Sequence, residues 1–167
     1  VRRKARAALT RVAEAVCGCT LSEDVLFIGT GGRYEFRNKG IDVFIESLYQ
    51  LRTQKSLERE VVAFLLVPGN VSAPRREVLD RLSGTASPYK NPLYYPWTAH
   101  WLNDIENDPI LNAIRHRDFR NQAGDLVKVI LVPCYLKGDD GIFNLSYYEL
   151  LAGFDLTVFP SYYESWG

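Results

Sequence analysis

Apolar positions along the chain switch between two periods, and the switching sets the fold class. Ala5, Ala8, Leu9, Val12 and Val16 recur at helical spacing beneath a basic face of Arg2, Arg3, Lys4, Arg6 and Arg11, which reads as an amphipathic helix with a solvated charged side. Asp24 to Gly29 is a short apolar run ending in glycine and predicts a buried strand that enters a loop. Ile41, Phe44, Ile45, Leu48 and Leu51 return to the helical period with one apolar stripe. Val61 to Val67, closed by Pro68 and Gly69, reads as a strand buried on both faces. Strand, helix, strand in that order predicts a parallel βαβ unit with a right-handed crossover.

The second half continues the alternation less regularly. Arg75 to Leu82 predicts a weak helix, and the Pro-, Gly- and Tyr-rich stretch from Ser83 to Trp97 predicts an excursion from the sheet. Asp108 can cap a helix that begins at Pro109 and turns Ile110, Leu111 and Ile114 inward. Val127 to Val132, stopped by Pro133, is a further strand. Ser146-Tyr147-Tyr148-Glu149 is a capping box that opens a short helix ending at Gly153, and Leu156 to Phe159, stopped by Pro160, is a last strand. The class is α/β with a parallel sheet. An N-terminal helix over 1–20 leads into one domain over 21–167.

Composition narrows the function classes. A chain of 167 residues suits a single domain that buries about 68–70% of its unfolded surface. With 47% hydrophobic and 24% charged residues it is an ordinary globular sequence. Twenty basic residues balance twenty acidic ones, which argues against nucleic acid or an anionic membrane surface as partner, since both require a basic excess. No apolar run reaches the roughly 18–20 residues that span a bilayer, and no signal-peptide pattern is present. The beginning at Val1 and the stop directly after Trp166 make the chain read as a piece of something longer. Cys17, Cys19 and Cys134 do not form a closed disulfide framework and read as reduced, packed thiols.

Several candidate motifs fail on spacing. Gly29-Thr30-Gly31-Gly32 sits where dinucleotide-binding glycines would sit, but Tyr34 occupies the position of the third glycine. No Gly-Lys-Ser/Thr follows at P-loop distance. His116-Arg117-Asp118 has Ala123 where a kinase catalytic loop needs Asn, so it reads as a helix end. His100, among Tyr94, Tyr95, Trp97 and Trp101, reads as a packed or surface histidine, and Asp104, Glu106 and Asp108 as a capping turn.

One motif holds. Arg33-Tyr34-Glu35-Phe36-Arg37-Asn38-Lys39-Gly40 follows the first strand's carboxyl end and leads into a helix. Ligands of open α/β sheets bind outside the carboxyl ends of strands, and helix N-termini favour anions. Arg33, with a planar fork, and Lys39, with a compact point charge, would clamp a diphosphate there, the alternative being a basic loop that is merely solvated.

Gly32 through Glu46 resembles a hallmark stretch of the animal and fungal glycogen (starch) synthases, and Val158 through Gly167 resembles a second. Asn107 through Arg115 and Val127 through Ile130 are similar to two further segments of that family, in the right order. The resemblance extends from about Leu21 to Gly167. It implies a retaining glucosyltransferase with two Rossmann-like domains facing across a cleft (the GT-B architecture), of which this chain would be much of the C-terminal, nucleotide-sugar-binding half. It also implies a donor such as UDP-glucose or ADP-glucose, a glucan acceptor extended at its 4-hydroxyl, a cytoplasmic setting, and no metal or cofactor. Carried over by position, Arg33 and Lys39 grip the donor's phosphates, and Glu164 is the active-site glutamate beside the donor glucose. Tyr147 stacks on the uracil, and Trp166 and Gly167 begin the loop that approaches sugar and phosphates.

Three departures stand beside the likeness. Ser165 replaces the family's usual Pro, and the excursion between Val67 and His100 is shorter, which bears on possible homo-oligomer contacts. The Thr-Pro, phosphate helix and second glutamate that follow in the family are expected beyond Gly167, and the acceptor domain before Val1. On its own the chain is therefore expected to be inactive. Another GT-B transferase, related to sucrose-phosphate synthase or phosphorylase, and a non-catalytic nucleotide-binding or assembly module are the alternatives.

Overall fold

Six strands and five α-helices follow one another in a computed structural model that describes residues 1–85 and 91–164. They are α1 (Arg2–Cys17), β1 (Leu26–Gly31), α2 (Ile41–Arg52), β2 (Val61–Leu66), β3 (Val71–Pro74), α3 (Arg76–Ser83), β4 (His100–Leu102), α4 (Pro109–His116), β5 (Val127–Val132), α5 (Tyr147–Leu151) and β6 (Leu156–Thr157). Four of the strands form one parallel sheet in the order β5-β2-β1-β6. Leu26–Gly31 runs in register with Val61–Leu66, which in turn pairs with Val127–Val132. The chain is thus a Rossmann-like α/β domain, as the alternating pattern predicts.

Period-two alternation of apolar side chains gives the sheet two covered faces. Val62, Phe64, Leu66, Ile130 and Val132 pack in a layer with α1, α3 and α5. Val61, Ala63, Leu65, Val127, Val129 and Leu131 pack in the opposite layer with α2 and α4. Every residue of β2 and β5 is buried, and a fully buried Val, Leu, Ile or Phe side chain contributes about 1.5–3 kcal/mol. Lys128 is the exception to the apolar rule. It is wholly buried in β5, and its ammonium donates to Glu60 Oε1 and to the Asp125 carbonyl, both at 2.6 Å.

The helix boundaries follow their caps. Asp108 Oδ1 accepts the Leu111 N–H at 2.9 Å with Pro109 in the first position of α4, and Ser146 and Glu149 close the capping box of α5. The helix α1 seats its apolar stripe in the core, but its charged side is not simply solvated. Arg2 and Arg6 bind the Asp155 carboxylate at 2.8 and 2.7 Å, and that carboxylate also accepts the Phe27 N–H of β1.

One small sheet lay outside the sequence reading. The strands β3 and β4 pair antiparallel, although a helix and the Tyr-rich stretch separate them in the chain. Beside them Arg75 is completely buried. Its guanidinium lies 4.2 Å from the Trp101 ring and donates to the Tyr95 and Thr98 carbonyls. The described end of the predicted excursion therefore returns to the molecule, where Thr98 bridges to Leu131 of β5.

This topology fixes where a ligand can bind. From β1 the chain crosses to β2 on one side, whereas β6 lies on the other, so the strand order reverses between β1 and β6. The carboxyl ends of those two strands release the segments Gly32–Gly40 and Val158–Glu164. Such a switch point opens a crevice above the sheet.

Candidate nucleotide-sugar site

Two glycines prepare the crevice at the end of β1. A Cβ on Gly31 would meet the Tyr147 hydroxyl at 2.6 Å, so a side chain there would displace that ring. Gly32 adopts φ 148°, which L side chains rarely adopt, and the stem of Lys39 passes within 3.9 Å of where its Cβ would stand. Tyr147 and Lys39 thus approach the same short stretch of backbone.

A cavity of about 600 Å³ opens there, walled by Gly32, Arg33, Tyr34, Cys134, Tyr135 and Tyr147. Its volume falls in the range of small-molecule sites. Tyr147, in the first turn of α5, is half-buried, and burial raises its phenol pKa. Tyr135, just past β5, is largely exposed on the facing wall. Tyr34 is an anchor. Its hydroxyl donates to Asp108 Oδ2 at 2.6 Å and accepts the Ile110 N–H at 3.3 Å, tying the loop after β1 to the start of α4.

Charge gathers beside the cavity. Lys39 Nζ lies 2.6 Å from Glu164 Oε1, which also accepts the Ser161 hydroxyl at 2.7 Å. The hydrogen bonds from Lys39 and Ser161 hold the Glu164 carboxyl below its usual range, and the charge of Arg33 acts in the same direction. Arg33 is exposed, with its guanidinium 3.2 Å from Glu35. Both cations therefore have carboxylate partners. The segment carrying Glu164 is tied to the β1 loop by the Tyr162 N–H, which donates to the Asn38 carbonyl at 2.9 Å.

The structure thus brings Arg33, Lys39, Tyr147 and Glu164 to one rim of the sheet. Trp166 and Gly167 lie outside the described residues. Sequence reasoning passed over Tyr34, Tyr135, Lys137 and Ser161. Tyr135 and Lys137 were within reach of it, because they follow Pro133 at the carboxyl end of β5, where ligands of such sheets gather. Ser161 carried no such signal, since its role depends on the turn that folds it back on Glu164.

Comparison with known proteins identifies the family. The glycogen synthase family profile matches residues 18–87 and 85–167. The chain is 29% identical over 204 residues to glycogen [starch] synthase isoform 1 of Saccharomyces cerevisiae, with 87% of the chain and 29% of that protein covered. It is 31% identical over 194 residues to the liver glycogen [starch] synthase of Mus musculus, covering 87% of the chain and 27% of the relative. Against the glycogen [starch] synthase of Neurospora crassa it is 31% identical over 199 residues, covering 87% and 28%. The chain spans less than a third of the length of these relatives. With a Rossmann-like sheet, a walled cavity at its switch point and a family match along nearly all of its length, the chain belongs to the glycogen synthase family.

Proposed function

We propose that this chain is the nucleotide-sugar-binding part of a retaining glucosyltransferase. The reaction moves glucose from UDP-glucose, or ADP-glucose, to the 4-hydroxyl at a glucan end. The observation that carries this reading is the contact of Lys39 with Glu164 at the switch point, beside a cavity walled by Arg33 and Tyr147. A second domain that binds the glucan completes the cleft in this reading.

The chemistry follows from the charges. As the glycosidic bond to the donor breaks, negative charge builds on the departing diphosphate. Arg33 offers paired N–H donors to phosphate oxygens and Lys39 a compact ammonium, and such positioned donors are worth roughly 10²–10³ each in rate. Glu164 and Glu35 pair with those cations. The diphosphate displaces them, and Glu164 then stands free beside the sugar. Tyr147 supplies a flat apolar face for the base, at the wall nearest Gly31.

Calorimetric titration of UDP and of uridine into the chain and into an Arg33→Ala, Lys39→Ala double variant tests the assignment. UDP should bind the unaltered chain more tightly than uridine, and the two affinities should converge in the variant. An undiminished preference for UDP in the variant removes both cations from the phosphate site.

A further inference from the structure

Three potential metal ligands meet at Cys134, which lines the cavity at the end of β1, apart from the charged rim. His100 in β4, Cys134 just past β5, and Asp140 in the loop leading to α5 each place one ligand atom within 4.8 Å of the others. The three groups come from segments far apart in sequence, and all are withdrawn from water: His100 is 1% exposed, Cys134 8%, and the Asp140 side chain 0%.

Protein contacts leave one polar atom of this cluster unexplained. His100 Nε2 is hydrogen-bonded to the Asp140 carbonyl oxygen at 3.2 Å, which leaves Nδ1 as the ring nitrogen open to a ligand. Nδ1 is buried with no hydrogen-bond partner among the described residues, whereas a histidine buried for structural reasons normally satisfies its polar atoms. The Asp140 carboxylate is itself held by N–H groups of Ile142, Phe143 and Asn144, the kind of outer support that orients a metal ligand.

We propose that His100, Cys134 and Asp140 form a binding site for a zinc-type divalent cation, serving structure and not catalysis. An imidazole nitrogen, a thiolate sulfur and a carboxylate oxygen suit zinc, whereas magnesium and calcium prefer oxygen throughout. On binding, the metal–sulfur bond replaces the S–H bond of Cys134 and the proton leaves to solvent. The ion ties β4, the end of β5 and the loop before α5 together. It thereby stiffens the wall that carries Tyr135 and leads to Tyr147. The proposal does not depend on the identity of the donor.

X-ray absorption at the zinc edge, on the 167-residue chain loaded with one equivalent of zinc, tests it. The expected first shell has one sulfur at about 2.3 Å and nitrogen or oxygen at about 2.0–2.1 Å. Zinc should also shield Cys134, but not Cys19, from alkylation followed by mass spectrometry. In Cys134→Ser the sulfur should vanish and affinity should fall about 100-fold or more, at or beyond the upper end of the loss from removing even an outer-shell partner. Failure to bind one equivalent of zinc, a shell without sulfur, a two-sulfur shell from Cys17 and Cys19, or unprotected Cys134 would each overturn the assignment.

Discussion

Gly40 is the position where backbone geometry, stability and the ligand site meet. It precedes α2 with φ 63° and ψ 26°, and a Cβ added there would stand 1.8 Å from the Pro160 carbonyl oxygen and 2.6 Å from its carbon. The obstacle is backbone, so no side-chain rotation relieves it. Gly40→Ala should carry about 1–2 kcal/mol for an L side chain in the left-handed region. Displacing the Pro160 segment should add about 1–3 kcal/mol, the usual range for overpacking. The sum is about 2–5 kcal/mol, a large share of a domain's stability. Gly84→Ala is the control, because Gly84 has φ 80° but no described residue within 4 Å of its added Cβ. Urea unfolding of both variants isolates the steric part by difference. Calorimetry should show weaker UDP binding in Gly40→Ala, since the displaced segment carries Glu164 and pairs through Tyr162 with Asn38. Equal losses of stability in the two variants would refute the close approach of Gly40 and Pro160.

Further outcomes follow from the same contacts. Lys128→Met should cost about 3–5 kcal/mol by urea unfolding, because it leaves Glu60 buried with only the Ser22 N–H as the partner of its side chain among the described residues; a loss under about 1 kcal/mol would contradict the pair's burial. Tyr147→Ala should weaken UDP by about 1–3 kcal/mol in calorimetry, the usual worth of a base stacked on an aromatic ring, while unchanged affinity would free Tyr147 of that role. Burial pushes the Asp155 carboxyl up, but hydrogen bonds from Arg6 and the Phe27 N–H, with the charges of Arg6 and Arg2, outweigh it and leave it below its usual range. Its contribution is therefore fully present above the unfolded-state value of about 3.9 and is lost as pH falls through the lower folded value. Asp155→Asn should flatten the acid limb of a stability–pH curve below about pH 4, and an unchanged limb would contradict the assignment.

What the sequence disclosed and what it withheld have a common physical reason. The strands β1, β2 and β5 were legible because each is a continuous apolar run ended by glycine or proline, and the helices α4 and α5 because Asp108 and Ser146 announce them as caps. The loop from Arg33 to Gly40 was legible as a candidate ligand loop because it follows β1 directly. The β3–β4 pair was not, since its strands are three and four residues long and their pairing depends on a distant contact. The burial of Arg75 and Lys128 likewise escaped notice, because a charged side chain reveals its partners only when the chain has folded. His100 read as a packed or surface residue; its meeting with Cys134 and Asp140 joins three segments that no local pattern connects. Even Lys39 and Glu164, each singled out by position, gave no hint that they would bind one another.

The most direct test of the account is a crystal structure of the chain with UDP bound. The predicted complex has diphosphate oxygens at about 2.7–2.9 Å from both Arg33 and Lys39, Glu164 released from Lys39, and the uracil ring on Tyr147. A diphosphate bound elsewhere, with the Lys39–Glu164 pair intact, would contradict it.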